Sequence, residues 1–296
     1  MGNILTKQFY RQRKDFEDSC AGRDAGLTFP EGVRCSTDIA YADDGIKAHL
    51  LDIYRPEDSQ EKILPVIINV HGGGLIIGNK EFNRYFCALL CKKGFLVYSI
   101  EYRLIPDCLI YDQIADVFMA MDYIKERLAA DGGDSSHVYM AGDSGGACLI
   151  TYANAIQNNT NIARAANVTP SGLRINALGL ISGMFYTSRF DKIGLFLPKY
   201  LYGRDYKKTS FAKYVNPENR ELLNSLAPVW LVTSHNDFLR RYTTDFEKAL
   251  TRAEREHELV VFPKNKKLTH AFSVFEPFLS ESSAVIDMMV EYLRKF

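Results

Sequence analysis

Residues 63–70 (ILPVIINV) form an unbroken apolar run rich in β-branched side chains, and it stops at His71-Gly72-Gly73-Gly74. A strand that is apolar at every position has no side to offer to water, so both of its faces must be covered. Helices packed above and below a parallel sheet supply that cover. The run therefore predicts a layered α/β fold with this strand inside the sheet.

The rest of the chain alternates in the same way. Residues 95–102, 137–141, 175–181, 229–234 and 258–262 read as further strands. Between and after them lie helical patterns at 82–93, ended by Gly94, and at 112–130, with apolar residues at 114, 117, 118, 121 and 124. A small-residue helix starts at Ala147, and an amphipathic helix closes the chain over 280–296 with Ser280 as its N-cap. Residues 36–41 and 48–54 suit an antiparallel lead-in pair. Two stretches break the alternation: residues 1–32 and an insert over 184–227. The expected division is a catalytic body of 33–183 with 228–296, a helical cap insert of 184–227, and an N-terminal helical segment, 1–32, that joins the cap. Open α/β sheets bind ligands at the C-terminal ends of their strands, where such a cap would sit.

Composition sets the outer limits. The chain has 296 residues, 47% apolar and 24% charged, which excludes a disordered or disulfide-scaffold protein. Lysine plus arginine balances aspartate plus glutamate, so there is no global basic field of the kind nucleic acid attracts. The six cysteines show no metal-binding spacing and read as buried thiols of a reducing, cytoplasmic compartment, with Cys87 and Cys91 both facing the core. No apolar run approaches the roughly 18 residues of a membrane span, so no stable membrane insertion is expected. Gly2 and Thr6, with Lys7, Arg11, Arg13 and Lys14 following, match a myristoylation pattern; whether Gly2 is acylated is left open beside the reading of an ordinary polar helix.

Two glycine-rich motifs carry chemistry. Gly142-Asp143-Ser144-Gly145-Gly146 sits between a short strand and a small-residue helix. A sharp strand-to-helix turn there would raise the Ser144 hydroxyl above the sheet at a helix N-terminus, with the Gly145 amide beside it. His71-Gly72-Gly73-Gly74 follows the buried strand, and its bare backbone lets the Gly73 and Gly74 amides approach a ligand. Gly73, Gly74 and Gly145 are the expected donors to an oxyanion, and His71 is expected to anchor their loop.

These motifs resemble the hormone-sensitive-lipase-like family of α/β-hydrolase carboxylesterases over residues 64–296. The likeness is carried in order by HGGGLIIG, Glu101-Tyr102-Arg103-Leu104-Ile105-Pro106, GDSGG, Asp237-Phe238-Leu239-Arg240 and His270-Ala271-Phe272. It implies the α/β-hydrolase fold, a mostly parallel central sheet flanked by helices with a small helical cap. Leu75, Gly145, Ala147, Cys148 and Arg241-Tyr242 depart from residues frequent in the family.

A serine needs a base, and the base needs an oriented tautomer. In this fold the chain order is serine, acid, histidine. Asp237 follows the strand at 229–234, and His270 follows the strand at 258–262, so both meet Ser144 on one sheet edge. Asp245 is the fallback acid but falls in the next helix. His137, His235 and His257 are expected to be surface or packing residues. Asp143 and Glu101-Tyr102-Arg103 are expected to pair and hydrogen-bond beneath the site.

The expected reaction is hydrolysis of a small-molecule carboxylic ester, of short acyl or small aryl type, through an acyl-enzyme and without metal or cofactor. An arylformamidase-type amidase and a non-catalytic small-molecule receptor on a hydrolase scaffold stand as alternatives, and a homodimer is left open. Residues 185–214 hold nine aromatics and seven basic residues against two acidic ones. That insert reads either as an aromatic-lined cap over an acyl or aryl pocket, its basic residues favouring anionic esters, or as aromatics packed inward with solvated lysines.

Overall fold

The computed structural model describes residues 4–59 and 62–296. Gly2 lies outside the described residues. The chain opens with α1 (Ile4–Asp24), then β1 (Val33–Ala40), β2 (Leu50–Pro56), β3 (Leu64–Val70), α2 (Arg84–Lys92), β4 (Leu96–Ile100) and α3 (Ile110–Arg127). β5 (Gly133–Asp143) runs directly into α4 (Ser144–Asn158), followed by α5 (Thr160–Ala166) and β6 (Leu178–Ile181). The insert carries the short helices α6 (Lys192–Phe196), α7 (Pro198–Leu201) and α8 (Arg220–Asn224). The chain closes with β7 (Val229–Ser234), α9 (Arg240–Arg252), β8 (His257–Phe262), α10 (Phe272–Phe275) and α11 (Ser280–Leu293).

Eight strands form one sheet in the order β1-β2-β4-β3-β5-β6-β7-β8. β2 is antiparallel to both β1 and β4, and every other pair is parallel. The two-sided burial expected of residues 63–70 is visible residue by residue. Val66, Ile68 and Val70 enter the core on one face, while Ile67 enters the core on the other. β4 and β7 alternate likewise, Leu231 packing against one layer and Trp230 against the other. α3, α4 and α9 cover the first face; α2 and α11 cover the second. Cys87 and Cys91 are both buried in this second layer.

The structure moves several expected boundaries. β5 starts four residues before position 137, because Gly133 pairs with Leu64 at the start of β3. α4 starts at Ser144 itself rather than at Ala147. α2 is preceded by a single tight turn, Lys80–Asn83, which Asn79 caps through a side-chain oxygen accepting from the Phe82 amide. Ser280 is the first residue of α11, not its cap: Leu279 occupies the cap position, and the Ser280 hydroxyl donates to Glu281 instead. Among the described residues, no helix is long and apolar enough to cross a membrane.

Candidate active site

Strand-to-helix turns this tight leave one residue to reverse the chain. Ser144 is that residue, with φ of +50°, a value most side chains avoid. The close pass behind it forbids side chains: a Cβ on Gly146 would fall 2.1 Å from the Val70 carbonyl oxygen. The turn puts the Ser144 hydroxyl at the head of α4, at the floor of a cavity.

The structure brings the three residues expected to act together, Ser144, Asp237 and His270, within hydrogen-bond distance. His270 Nε2 lies 2.9 Å from Ser144 Oγ, and His270 Nδ1 lies 2.7 Å from Asp237 Oδ1. Asp237 also accepts from the Leu239 amide and the Thr233 hydroxyl, both at 2.8 Å. Burial pushes its carboxyl up, but His270, the Leu239 amide and the Thr233 hydroxyl together outweigh burial and hold it below the usual carboxylate range. Asp245 is not part of the relay: it faces Arg189 at 2.9 Å, with Arg241 and Lys248 nearby. Nor are the other histidines. His235 pairs with Arg240, His137 with Asp134, and His257 with the Arg255 carbonyl.

The Gly73 and Gly74 amides border the same cavity. Among the described residues neither amide donates a backbone or side-chain hydrogen bond, and Gly145, second in α4, has no earlier helical carbonyl to bond. The two segments nearly touch, since a Cβ on Gly145 would lie 3.0 Å from the Gly74 nitrogen. Gly73 has φ of +102°, and a Cβ there would strike the Ile77 carbonyl at 1.9 Å.

A buried network fastens this loop. His71 is sandwiched between the Gly72 carbonyl, at 2.8 Å from Nδ1, and Glu101, at 2.9 Å from Nε2, and it stacks on Tyr102 at 4.4 Å. Burial opposes charge on His71, yet Glu101 and the Gly72 carbonyl raise its pKa overall. The other oxygen of Glu101 accepts from the Lys80 amide at 2.9 Å, so one carboxylate holds both ends of residues 71–80. Asp143 accepts from the Gly72 amide at 3.0 Å and from Asn83 at 2.9 Å, and burial pushes its carboxyl up. Arg103 is engaged with Asp116 at 2.6 Å.

The cavity above Ser144 has a volume of about 390 Å³ and mostly apolar walls. Helix α1 supplies Phe9 and Phe16, the loop after β3 supplies Ile76 and Ile77, and the insert supplies Ile193 and Phe196. Of the nine aromatics in 185–214, only Phe196 lines it. Most others pack inward: Phe185 stacks on Phe246 at 4.2 Å, and Tyr202 and Phe211 join Tyr111 and Tyr152. Of the seven basic residues, only Lys192 borders the cavity. Helix α1 is tied to the site by Arg13, which donates to the Ile76, Leu104 and Ile105 carbonyls, and by Phe9 against Tyr200 at 5.2 Å. Among the described residues, no cluster of three or more His, Cys, Asp or Glu could hold a metal ion.

With this geometry in view, the comparisons decide the lineage. Residues 67–273 match the family described as the alpha/beta hydrolase fold. The chain belongs to the hormone-sensitive-lipase-like α/β-hydrolase family. It is 29% identical over 184 residues to a probable isoprenylcysteine alpha-carbonyl methylesterase of Oryza sativa subsp. japonica, covering 58% of this chain and 44% of that protein. It is 33% identical over 120 residues to Esterase LipQ of Mycobacterium tuberculosis, covering 40% and 28%. The matched stretch thus spans less than half the length of either relative. Among solved structures, esterase B from Lactobacillus Rhamnosis superposes with a TM-score of 0.91 at 22% identity, covering 98% of this chain and 94% of that one. A bacterial heroin esterase superposes with a TM-score of 0.70 at 22% identity, covering 97% and 91%. At that identity these likenesses concern the fold.

Within this hydrolase framework, several supporting residues escaped the sequence reading. Thr233 orients Asp237, and Gln113 holds the Leu75 and Arg103 carbonyls at 3.0 and 2.8 Å. Ser182 accepts from the Ala271 amide at 3.1 Å, and the Ser234 hydroxyl donates to the Leu268 carbonyl, so two serines at strand ends fix the loop bearing His270. The available signal was their position: Ser182 and Ser234 end or follow β6 and β7 at the edge where Ser144 sits.

Proposed function

We propose that the chain is a serine esterase acting on small carboxylic esters of short acyl or small aryl type. Ser144 Oγ attacks the ester carbonyl carbon while His270 Nε2 takes its proton. Asp237 holds the imidazole in the required tautomer and stabilises its charged form. The carbonyl electron pair moves onto oxygen, where the Gly73, Gly74 and Gly145 amides receive it. When the C–O bond to the leaving alkoxide breaks, His270 returns the proton and the alcohol departs. Water then repeats the sequence on the acyl-serine and restores the free enzyme. The observation that carries this reading is the unbroken contact from Asp237 through His270 to Ser144, at 2.7 and 2.9 Å, opening into a cavity.

That same contact favours an enzyme over a receptor on a hydrolase scaffold. A cavity of about 390 Å³ supports small substrates, near the low end of ligand pockets. The names of relatives point the same way: an isoprenylcysteine methylesterase by sequence, and an esterase B inhibited by a tributyrin phosphonate by structure. In this reading α1 and the 184–227 insert form the cap over the site. The test is Ser144→Ala. The expected result is an intact fold by circular dichroism and loss of p-nitrophenyl acetate hydrolysis; full retained turnover overturns the assignment. In the wild type, rates across p-nitrophenyl acetate, butyrate, octanoate and laurate should peak at the short end.

A further inference from the structure

The exposed apolar side chains of this molecule are not evenly spread. Among the described residues, four of the large ones with more than half their surface in water gather in the insert and beside His270: Phe190 (91%), Leu195 (56%), Phe196 (59%) and Phe238 (73%). Phe196 and Phe238 both border the Ser144 cavity, so they form its rim. Leu195 precedes Phe196 on α6. Phe190 precedes Asp191, which accepts from Tyr242 in the first turn of α9, four residues after Phe238. Phe196 and Phe238 thus flank the opening, and Leu195 and Phe190 are exposed in the same insert segment beside it. Clustered apolar exposure on a folded protein marks a surface that meets something other than water.

Positive charges outnumber negative ones in this part of the insert, Arg189, Lys192 and Lys199 against Asp191. Asp191 is used internally, accepting from the Ile193 and Gly194 amides and from Tyr242. Asp245 is flanked by Arg189, Arg241 and Lys248. Lys192 and Lys199 are exposed, and neither forms an ion pair among the described residues. An apolar rim with Lys192 at its edge and Lys199 seven residues on is complementary to an anionic lipid surface, whose headgroups attract the lysines while the interface accepts the aromatic rings.

We propose that the mouth of the Ser144 cavity docks reversibly on anionic lipid, so that esters dissolved in a bilayer reach the serine without crossing water. Phe190, Leu195, Phe196 and Phe238 enter the interface, and Lys192 and Lys199 face the headgroups. This is peripheral docking, distinct from a membrane span, and its benefit to catalysis rests on the serine-esterase reading of the same cavity.

The test uses the full chain in flotation with vesicles of phosphatidylcholine alone or of phosphatidylcholine with phosphatidylglycerol. The expected result is co-flotation with the anionic vesicles, about tenfold weaker with the neutral ones, and weakened by added salt. The double variant Phe190→Asp/Leu195→Asp, whose side chains do not line the cavity, should abolish flotation. Its turnover of water-soluble p-nitrophenyl acetate should stay within about twofold of wild type, since surface changes of this kind rarely disturb a fold. Lys199→Glu should remove the preference for anionic over neutral vesicles. Absence of wild-type flotation overturns the proposal while leaving the esterase reading intact. So does flotation unchanged in the double variant. A concentration-dependent dimer in sedimentation, lost in the double variant and unaccompanied by vesicle binding, overturns it in favour of a second copy of the chain. Retained turnover by Ser144→Ala would instead break the esterase reading and leave the docking result standing.

Discussion

Two segments border the same cavity and are held in different ways. Residues 71–80 lie on a buried polar frame: Asp143 grips Gly72, Glu101 grips both His71 and Lys80, and Gln113 grips Leu75. Residues 188–197 are fastened mainly from one side, by Asp191 capping α6 and by Arg189 reaching Asp245, and three of their apolar side chains, Phe190, Leu195 and Phe196, are exposed. A charge developing in a transition state needs donors that do not move, and a buried, hydrogen-bonded frame provides that. An apolar substrate needs only a surface that fits. Under the proposed mechanism the first segment stabilises the reaction and the second admits the substrate.

The largest way to break this division lies in the relay. Asp237→Asn should lower kcat by about 10⁴-fold while leaving KM little changed, because the wrong imidazole tautomer cannot accept the serine proton; steady-state kinetics check it. The same variant has a pH signature. The Asp237 pKa is held below its ordinary value, so its contribution to stability is fully present above about pH 4 and is lost as pH falls through the lowered pKa. The gap in Tm between wild type and variant should therefore be widest near neutral pH and close in strong acid.

A smaller effect tests the frame under residues 71–80. Glu101→Gln keeps an acceptor near His71 but removes the charge that raises its pKa. The loop should loosen, with kcat falling by about 10- to 100-fold, less than the loss of a donor itself, and KM nearly constant. A rise in KM with constant kcat would mean that this loop serves binding, and the contrast between the segments would collapse.

On the other side, Phe196→Ala should leave kcat for acetate esters nearly unchanged and shift KM for longer acyl esters by up to about tenfold, the scale of a few buried methylene contacts. A large fall in kcat on every ester would place 188–197 in the chemical step.

How far the sequence foretold this follows the same contrast. The runs at 63–70 and 229–234 announced themselves because strands buried on two faces are apolar at most positions, polar residues entering only near their C-terminal ends, as Asn69, Thr233 and Ser234 do. Ser144, Asp237 and His270 could be named because glycine spacing, strand ends and chain order constrain where a relay can close in this fold. The frame was less legible. Gln113 and Ser182 act on backbone groups of distant segments and Thr233 on the Asp237 side chain four residues on, and in the sequence only the strand-end position of Ser182 sets any of them apart. The insert was least legible, since its aromatic content alone cannot separate Phe185, stacked against Phe246, from Phe190 in solvent. That separation is made by which residue meets α9, a tertiary fact. The early start of β5 has the same origin, because Gly133 extends the strand only through its pairing with Leu64.

The central claim is that Ser144 is the activated nucleophile of the chain. A fluorophosphonate probe incubated with the native protein, followed by peptide mass spectrometry, tests it most directly. The account expects one adduct, on the peptide containing Ser144, absent after Ser144→Ala and strongly slowed in Asp237→Asn. An adduct on another serine, or ester turnover by protein whose Ser144 stays unmodified after complete inactivation, would contradict it.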